Sequence, residues 1–292
     1  MTDRLWIQPT GAALGADVHG VDLSKPVDDA TFAVVEKAWA EHLVLRFPGQ
    51  RLSDDDLMGF SARFGELDRV PLPSAGQVYD SGVAPHAREW MTVVSNIRVA
   101  EKLVGGLGNS ELVWHTDMSY QPLPARASLL YALECPPKGA DTWYCNMYQA
   151  YDTLPDELKR AIAGKVCTHD ASHNSAGELR RGFQETHDPS RTPGAVHPLV
   201  RLHPVSGRKC LFLGRRPFAY VHGLSVPDSE ALLDKLWAHV ANPAFAWAQQ
   251  WRVGDAVLWD NRCTMHRRDE FDDRMRRLMH RTQIVGEPVL AG

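Results

Sequence analysis

Two histidines and an aspartate are the residues whose types and spacing could hold a metal. In residues 113–121, VWHTDMSYQ, His115 and Asp117 stand two apart inside an apolar, aromatic run. Side chains at i and i+2 of a strand share one face, so a strand here would present an imidazole and a carboxylate side by side. That pair is two-thirds of a two-histidine, one-carboxylate facial triad. With 13 histidines in the chain, an H-x-D triplet alone is a weak signal, and a polar accident on a strand is the competing reading. A third ligand must come from a distant strand. His266, in VGDAVLWDNRCTMHRRDEF, follows a strand-like run and a polar turn. A lone histidine in that setting more often serves structure than a metal.

Downstream, Arg277, Met279 and Arg281 alternate in the run RRLMHRTQIV. On a strand, both guanidinium groups would face one way, roughly 13 Å apart. On a solvated face this is an ordinary cationic strand. Facing an interior, arginines need anionic partners, which implies bound carboxylates or similar groups. Other residues carry less. Trp114 and Trp259 flank the ligand segments but read first as core aromatics. His169, His173, His187 and His197 have irregular spacing that matches no structural zinc motif, and His203 and His222 have no assignable role. The five cysteines, Cys135, Cys145, Cys167, Cys210 and Cys263, are odd in number, scattered, and never in a C-x-x-C arrangement. They read as small buried hydrophobes in a reducing cytoplasm.

The elements that must position these groups are mostly strands. DDATFAVVEKAWAEHL reads as an amphipathic helix behind an acidic start, and SDDDLMGFSARFG as a second, with Ser53 as N-cap and Asp56 three residues later. LVLRFPG between them reads as a buried strand that ends at a Pro-Gly turn. From Met91 onward, short β-like runs follow: MTVVSNI, ASLLYALECPP, PLVRLHPVSGRKCLFLG, WRVGDAVLWDNR and RRLMHRTQIV. Reversals at Ser206-Gly207 and Gly254-Asp255 predict hairpins. Helices interrupt at LPDELKRAIAG and at VPDSEALLDKLWAHV, where Asp228 or Ser229 could cap. Residues 168–196 are polar and poor in periodic apolar positions, so they read as a long loop acting as a lid over a site. Without a repeat or linker, residues 1–292 read as one domain.

Composition limits the partners. The 292 residues are 44% hydrophobic and 23% charged, with a formal net charge of -4. Such a chain can bury a sizeable core without disulfides. It has no general attraction to nucleic acid or to an anionic membrane surface. No apolar run is long enough to span a bilayer, and the N-terminus lacks a basic segment followed by an apolar stretch. The expected partner is a small molecule and the expected location cytoplasmic.

Taken together, these residues resemble the iron(II)- and 2-oxoglutarate-dependent dioxygenases of the taurine and 2,4-dichlorophenoxyacetate dioxygenase (TauD/TfdA) family. The shared signature is H-x-D, a distant His, and an Arg eleven residues after it, here His115, Asp117, His266 and Arg277. LVLRFPGQRLSDDDLMGFSARFGEL, GADTWYCNMYQAYDTLP, HPLVRLHPVSGRK and WDNRCTMHR are also similar, so the likeness covers nearly the whole chain. It departs in the region before the H-x-D pair and in the lid, where substrate choice is expected to reside.

The resemblance implies a mainly β fold with flanking helices, a double-stranded β-helix or jelly-roll, cupin-like barrel. It implies that His115, Asp117 and His266 hold Fe(II) as the catalytic centre, with 2-oxoglutarate and O2 in the remaining coordination positions. Thr142 and Arg277 would hold the distal carboxylate of 2-oxoglutarate. Arg281 would lie near the substrate's anionic group or the cosubstrate's proximal carboxylate. Because relatives that halogenate carry a small residue in place of Asp117, hydroxylation is the implied outcome. The family is commonly oligomeric, which implies a homo-oligomer. The segments IQPTGAALGADVHGVDL and WDNRCTMHRRDEF are closer to the aryloxyalkanoate group, whose hydroxylated products fall apart to a phenol and an oxo acid. Taurine, alkylsulfonates and alkyl sulfates are the alternative substrates. Two other classes stay open: a metal-dependent hydrolase or lyase using the same triad, and a non-catalytic anion-binding barrel. Consumption of 2-oxoglutarate separates them.

Overall fold

The computed structural model describes residues 4–292 apart from 71–81, 108–111, 175, 176, 178, 181 and 215–217. Both N-terminal helices form where periodicity predicts them. Asp29–His42 is capped by Asp28, whose side chain accepts from the Thr31 amide, and it buries Val35, Ala38 and Trp39. Asp54–Ser61 opens with a capping box between Ser53 and Asp56. Val44–Phe47 between them is the expected buried strand.

That strand enters an eight-stranded sheet, whose order is Trp6–Pro9, Ala16–His19, Val44–Phe47, Ala256–Asp260, Ala127–Glu134, Leu278–Ile284, Thr92–Ser95 and Gly106–Leu107. Its central strands are apolar on both faces, and the period-2 alternation sorts them into two cores. Leu45, Phe47, Leu129, Leu258 and Ile284 pack with Trp39, Phe60 and Phe64 of the helical layer. Val44, Leu130, Val257, Trp259 and Met279, on the opposite face of the same strands, point the other way, toward Tyr144 and Met265 of a second sheet. This second sheet has three strands, Ala246–Gln249, Thr142–Asn146 and Thr264–Arg268. The site lies between the two sheets.

The chain is therefore mainly β with few helices. Among the described residues no sheet closes on itself, and no helix is long and apolar enough to cross a membrane. None of the five cysteines forms a disulfide, and four of them are buried.

Several expectations need correction. The reversal at Ser206-Gly207 does close a hairpin, between Val200–Leu202 and Lys209–Leu211. The one at Gly254-Asp255 does not. Gly254, at φ 89°, carries the chain from Ala246–Gln249 in the small sheet to Ala256–Asp260 in the large one. Its flanks find partners in different sheets, which no local pattern reports. The helix Val226–Val240 is capped by Ser225, not by Asp228 or Ser229. Pro227 already sits in the first turn, where its missing N–H costs nothing. Residues 168–196 are not a loop throughout. Thr168 pairs with Val196 in an antiparallel ladder between Val166–Asp170 and Gly194–Pro198, so the segment is an arm whose base is β-structure.

Candidate active site

His115 and Asp117 do not lie in a regular strand. His115 forms an isolated antiparallel bridge with His266. The two residues exchange both backbone hydrogen bonds, His115 N to His266 O at 2.9 Å and His266 N to His115 O at 2.8 Å. Asp117 then opens a turn, with Met118 at φ 54°. One bridge thus places the H-x-D segment beside the edge strand Thr264–Arg268 of the small sheet. The imidazole centroids are 4.2 Å apart. Asp117 Oδ1 lies 4.0 Å from His115 Nε2 and 3.8 Å from His266 Nε2. All three side chains are buried, and each offers a donor atom to a common point.

The surroundings orient these donors. His115 Nδ1 lies 2.9 Å from the Val113 carbonyl, so Nδ1 carries the proton and Nε2 presents its lone pair toward Asp117 and His266. Asp117 Oδ2 accepts from Ser128 Oγ at 2.7 Å. Ser128 Oγ accepts from Asn261 Nδ2 at 3.0 Å, and Asn261 Oδ1 accepts from Trp259 Nε1 at 2.9 Å. Ser128 and Trp259 are cross-strand partners on the inner face of the large sheet. The relay therefore ties the carboxylate to two paired central strands of the large sheet. Trp259, read from sequence as core, is both core and anchor of this relay. Ser128 and Asn261 were not anticipated. A polar residue inside the apolar run ASLLYALE was the available signal.

Arg281 pairs across strands with Leu130 on the same inner face, and its Nη1 reaches Asp117 Oδ1 at 3.2 Å. Burial alone would raise the Asp117 carboxyl. The Arg281 guanidinium and the His266 and His115 imidazoles outweigh it and hold the group well below the usual carboxylate range. Two imidazoles and one ionised carboxylate on one side of a point are a donor set that suits divalent iron.

A small cavity adjoins His266 between the sheets. Thr142, Arg268, Arg277 and Arg281 line it against apolar Val94 and Leu130. Arg277 is only 2% exposed, and its backbone amide is fixed by Asn96 Oδ1 at 2.9 Å. Thr142 Oγ1 accepts from Trp251 Nε1 at 2.9 Å, which leaves the threonine proton free to point elsewhere. Guanidinium groups gathered around a buried space suit a bidentate carboxylate. Sequence reasoning brought Thr142, Arg277 and Arg281 to this region but missed Arg268, which faces inward because it pairs with Thr142.

A second buried group, His203, Asp260 and Cys263, also brings potential ligands together. Here Arg262 engages both Asp260 oxygens, at 2.8 and 2.6 Å, and His203 Nε2 adds a contact at 3.1 Å. Burial pushes the Cys263 thiol far up, so it stays protonated. This group is an internal ion pair, and it gives His203 the role the sequence left unassigned. In the arm, His173 bonds Asp170 at 2.9 Å and stacks on Phe218, while His197 Nε2 meets the Gln121 carbonyl at 3.0 Å. Among the described residues the arm histidines join no metal-capable group.

The family model described as "Taurine catabolism dioxygenase TauD, TfdA family" matches residues 6–283. The chain is 33% identical to (S)-phenoxypropionate/alpha-ketoglutarate-dioxygenase of Delftia acidovorans, covering 100% of this chain and 99% of that one. It is 30% identical to an alpha-ketoglutarate-dependent sulfate ester dioxygenase of Pseudomonas putida, covering 97% and 90%. The crystal structure of AAD-2 in complex with Mn(II) and N-oxalylglycine superimposes with a TM-score of 0.78 at 33% identity, over 98% and 100% of the two chains. With the donor set and the arginine-lined cavity in place, the chain belongs to the TauD/TfdA family of dioxygenases, oxidoreductases that use Fe(II), 2-oxoglutarate and O2.

Proposed function

We propose that this enzyme hydroxylates a small anionic organic substrate, an aryloxyalkanoate, at the carbon bearing the ether oxygen. The hydroxylated carbon then collapses to a carbonyl, which releases a phenol and an oxo acid. The observation that carries the reaction class is the buried His115, Asp117 and His266 group set against the arginine-lined cavity. The full-length relationship to a phenoxypropionate dioxygenase supports the substrate class. Exposed Leu112, Val113, Leu123, Phe183 and Val196, around the H-x-D segment and on the arm, offer apolar contacts that suit an aromatic ring.

In this reading His115, Asp117 and His266 hold the iron. When bound, iron(II) and 2-oxoglutarate use O2 to yield succinate and CO2 and to place one oxygen atom in a substrate C–H bond. The protein's own residues do the rest. Arg277 would hold the distal carboxylate with its guanidinium, which can bond both oxygens, and the Thr142 hydroxyl would add a donor. Arg281 spans Asp117 and the same cavity, so it keeps Asp117 ionised and offsets the proximal carboxylate's charge. Ser128, Asn261 and Trp259 hold the Asp117 carboxylate in one orientation. The two sheets are the walls of a double-stranded β-helix, and the chain works as one domain. The 168–196 arm serves as the lid. It is joined to the turn after Asp117 by the Ala195 amide on the Tyr120 carbonyl at 3.1 Å and by His197 on Gln121.

A second reading, a sulfate ester dioxygenase, is favoured by the Pseudomonas putida relative. The experiment is succinate formation by the anaerobically iron-loaded protein, given 2-oxoglutarate and air, with phenoxyacetates, phenoxypropionates, alkyl sulfates and taurine. Succinate that rises with the phenoxy acids supports the proposal. Succinate that rises only with alkyl sulfates selects the second reading, and none at all would return the chain to a hydrolase or binding role.

A further inference from the structure

Tyr144 occupies a position the reading above does not use. On the strand Thr142–Asn146 it is two residues from Thr142 and so shares its inward face. It pairs with Trp247 on one side and with His266 on the other. The rings follow that register: Tyr144 lies 6.0 Å from Trp247 and 6.1 Å from His266, nearly parallel to both, and 5.5 Å from Trp259. Through the bridge from His266 to His115, one row across four segments runs from Trp247 to the candidate metal ligands.

The side chain is fully buried, and among the described residues its hydroxyl has no hydrogen-bond partner. A phenylalanine would fill the same space without that cost, so the fold gains nothing from the oxygen. Its ring packs against Trp259 and His266, both of which line the arginine-bearing cavity, so the hydroxyl is held in the layer between the sheets where that cavity lies. A buried donor held in that layer needs an acceptor, and a bound molecule in the cavity would supply one.

We propose that the Tyr144 hydroxyl donates a hydrogen bond to a carboxylate oxygen of bound 2-oxoglutarate, as a third protein donor beside Thr142 and Arg277. The inference rests on the reading that this cavity receives 2-oxoglutarate. It makes cosubstrate recognition a property of two faces: cationic donors from the C-terminal strand region, and neutral hydroxyls from the strand Thr142–Asn146.

The test is titration calorimetry of 2-oxoglutarate into the Mn(II)-loaded protein under argon, where no oxidation can occur, with wild type, Tyr144→Phe and Arg277→Met. Tyr144→Phe is expected to raise the Kd roughly tenfold, the effect of losing one hydrogen bond to a charged group. The same variant should leave the thermal midpoint of the ligand-free protein unchanged or higher, because the hydroxyl it removes had no partner. If Arg277→Met binds 2-oxoglutarate like wild type, the cavity reading itself fails. If Arg277→Met is weakened and Tyr144→Phe is not, only the tyrosine proposal is overturned. A fall of several degrees in the ligand-free midpoint of Tyr144→Phe would show a structural hydroxyl and would also overturn it.

Discussion

Two regions of this molecule set an imidazole beside a fully buried carboxylate, and they do opposite things with it. Asp260 is saturated. Arg262 binds both oxygens in a fork, the Arg262 amide adds a bond at 2.9 Å, and His203 completes the set. Asp117 is oriented instead of saturated. Ser128 fixes one oxygen, Arg281 approaches the other singly at 3.2 Å, and two Nε2 atoms stand at 3.8 and 4.0 Å, beyond hydrogen-bond reach. Both carboxyls are held well below the usual carboxylate range, by Arg262 in one case and by Arg281 and the histidines in the other, against the opposing effect of burial. A depressed carboxyl therefore does not by itself mark a reactive site. What separates the two is whether the acid's oxygens are spent on a neighbour from its own chain segment or aimed, with two imidazoles, at a common point.

The comparison can be broken in several ways, and the largest effect is expected at the first group. Asp117→Ala and His266→Ala should each lower iron-dependent turnover by at least about 100-fold, with thermal midpoints within a few degrees of wild type. Near-normal turnover in either variant would remove that residue from the site. At the second group the effect should fall on stability. Arg262→Met leaves Asp260 buried without its main partner and should cost roughly 3–5 kcal/mol in denaturant unfolding, with turnover per folded molecule retained. Loss of turnover without loss of stability would reverse the two assignments. Arg277→Ala should raise the 2-oxoglutarate requirement at least about tenfold, read as KM for the cosubstrate, while substrate KM changes little. Ser128→Ala should weaken metal affinity by about tenfold, measured by competition with a chelating dye.

The smallest effect is the one pH reveals. The folded Asp260 carboxyl lies below its unfolded value of about 3.9, so its contribution is present above that pH and is lost as pH falls through the lower, folded value. The stability gap between wild type and Asp260→Asn should therefore be flat from about pH 8 to pH 5 and narrow only in stronger acid. A gap that narrows already between about pH 8 and pH 5 would show that the Asp260 carboxylate is not its source.

Much of this was legible in the chain. Helices at Asp29–His42 and Asp54–Ser61, the buried Val44–Phe47 strand and the later β-runs follow from periodicity and capping residues, which covalent geometry sets locally. So does the alternation that puts Arg281 opposite in facing to His280, whose Nδ1 meets Asp54 on the helical side at 2.9 Å. The H-x-D pair, the distant His and the Arg eleven residues on were readable as a resemblance. The two ends of residues 168–196 were misjudged because Thr and His can pair in strands as well as sit in loops, and Ser225 was missed because the first helical turn was placed too late.

By itself, then, the sequence determined which segments alternate, where helices start, and which residue types were available for chemistry. Tertiary structure alone decided that one backbone bridge joins His115 to His266, that Gly254 crosses between sheets instead of closing a hairpin, and that Trp259, Asn261 and Ser128 line up behind Asp117. It also decided that Tyr144 stands in a row with His266 while Asp260 disappears into an ion pair. Those outcomes depend on register between strands far apart in the chain. Register is settled by the packing of both faces of both sheets at once, and no local window of sequence contains that information.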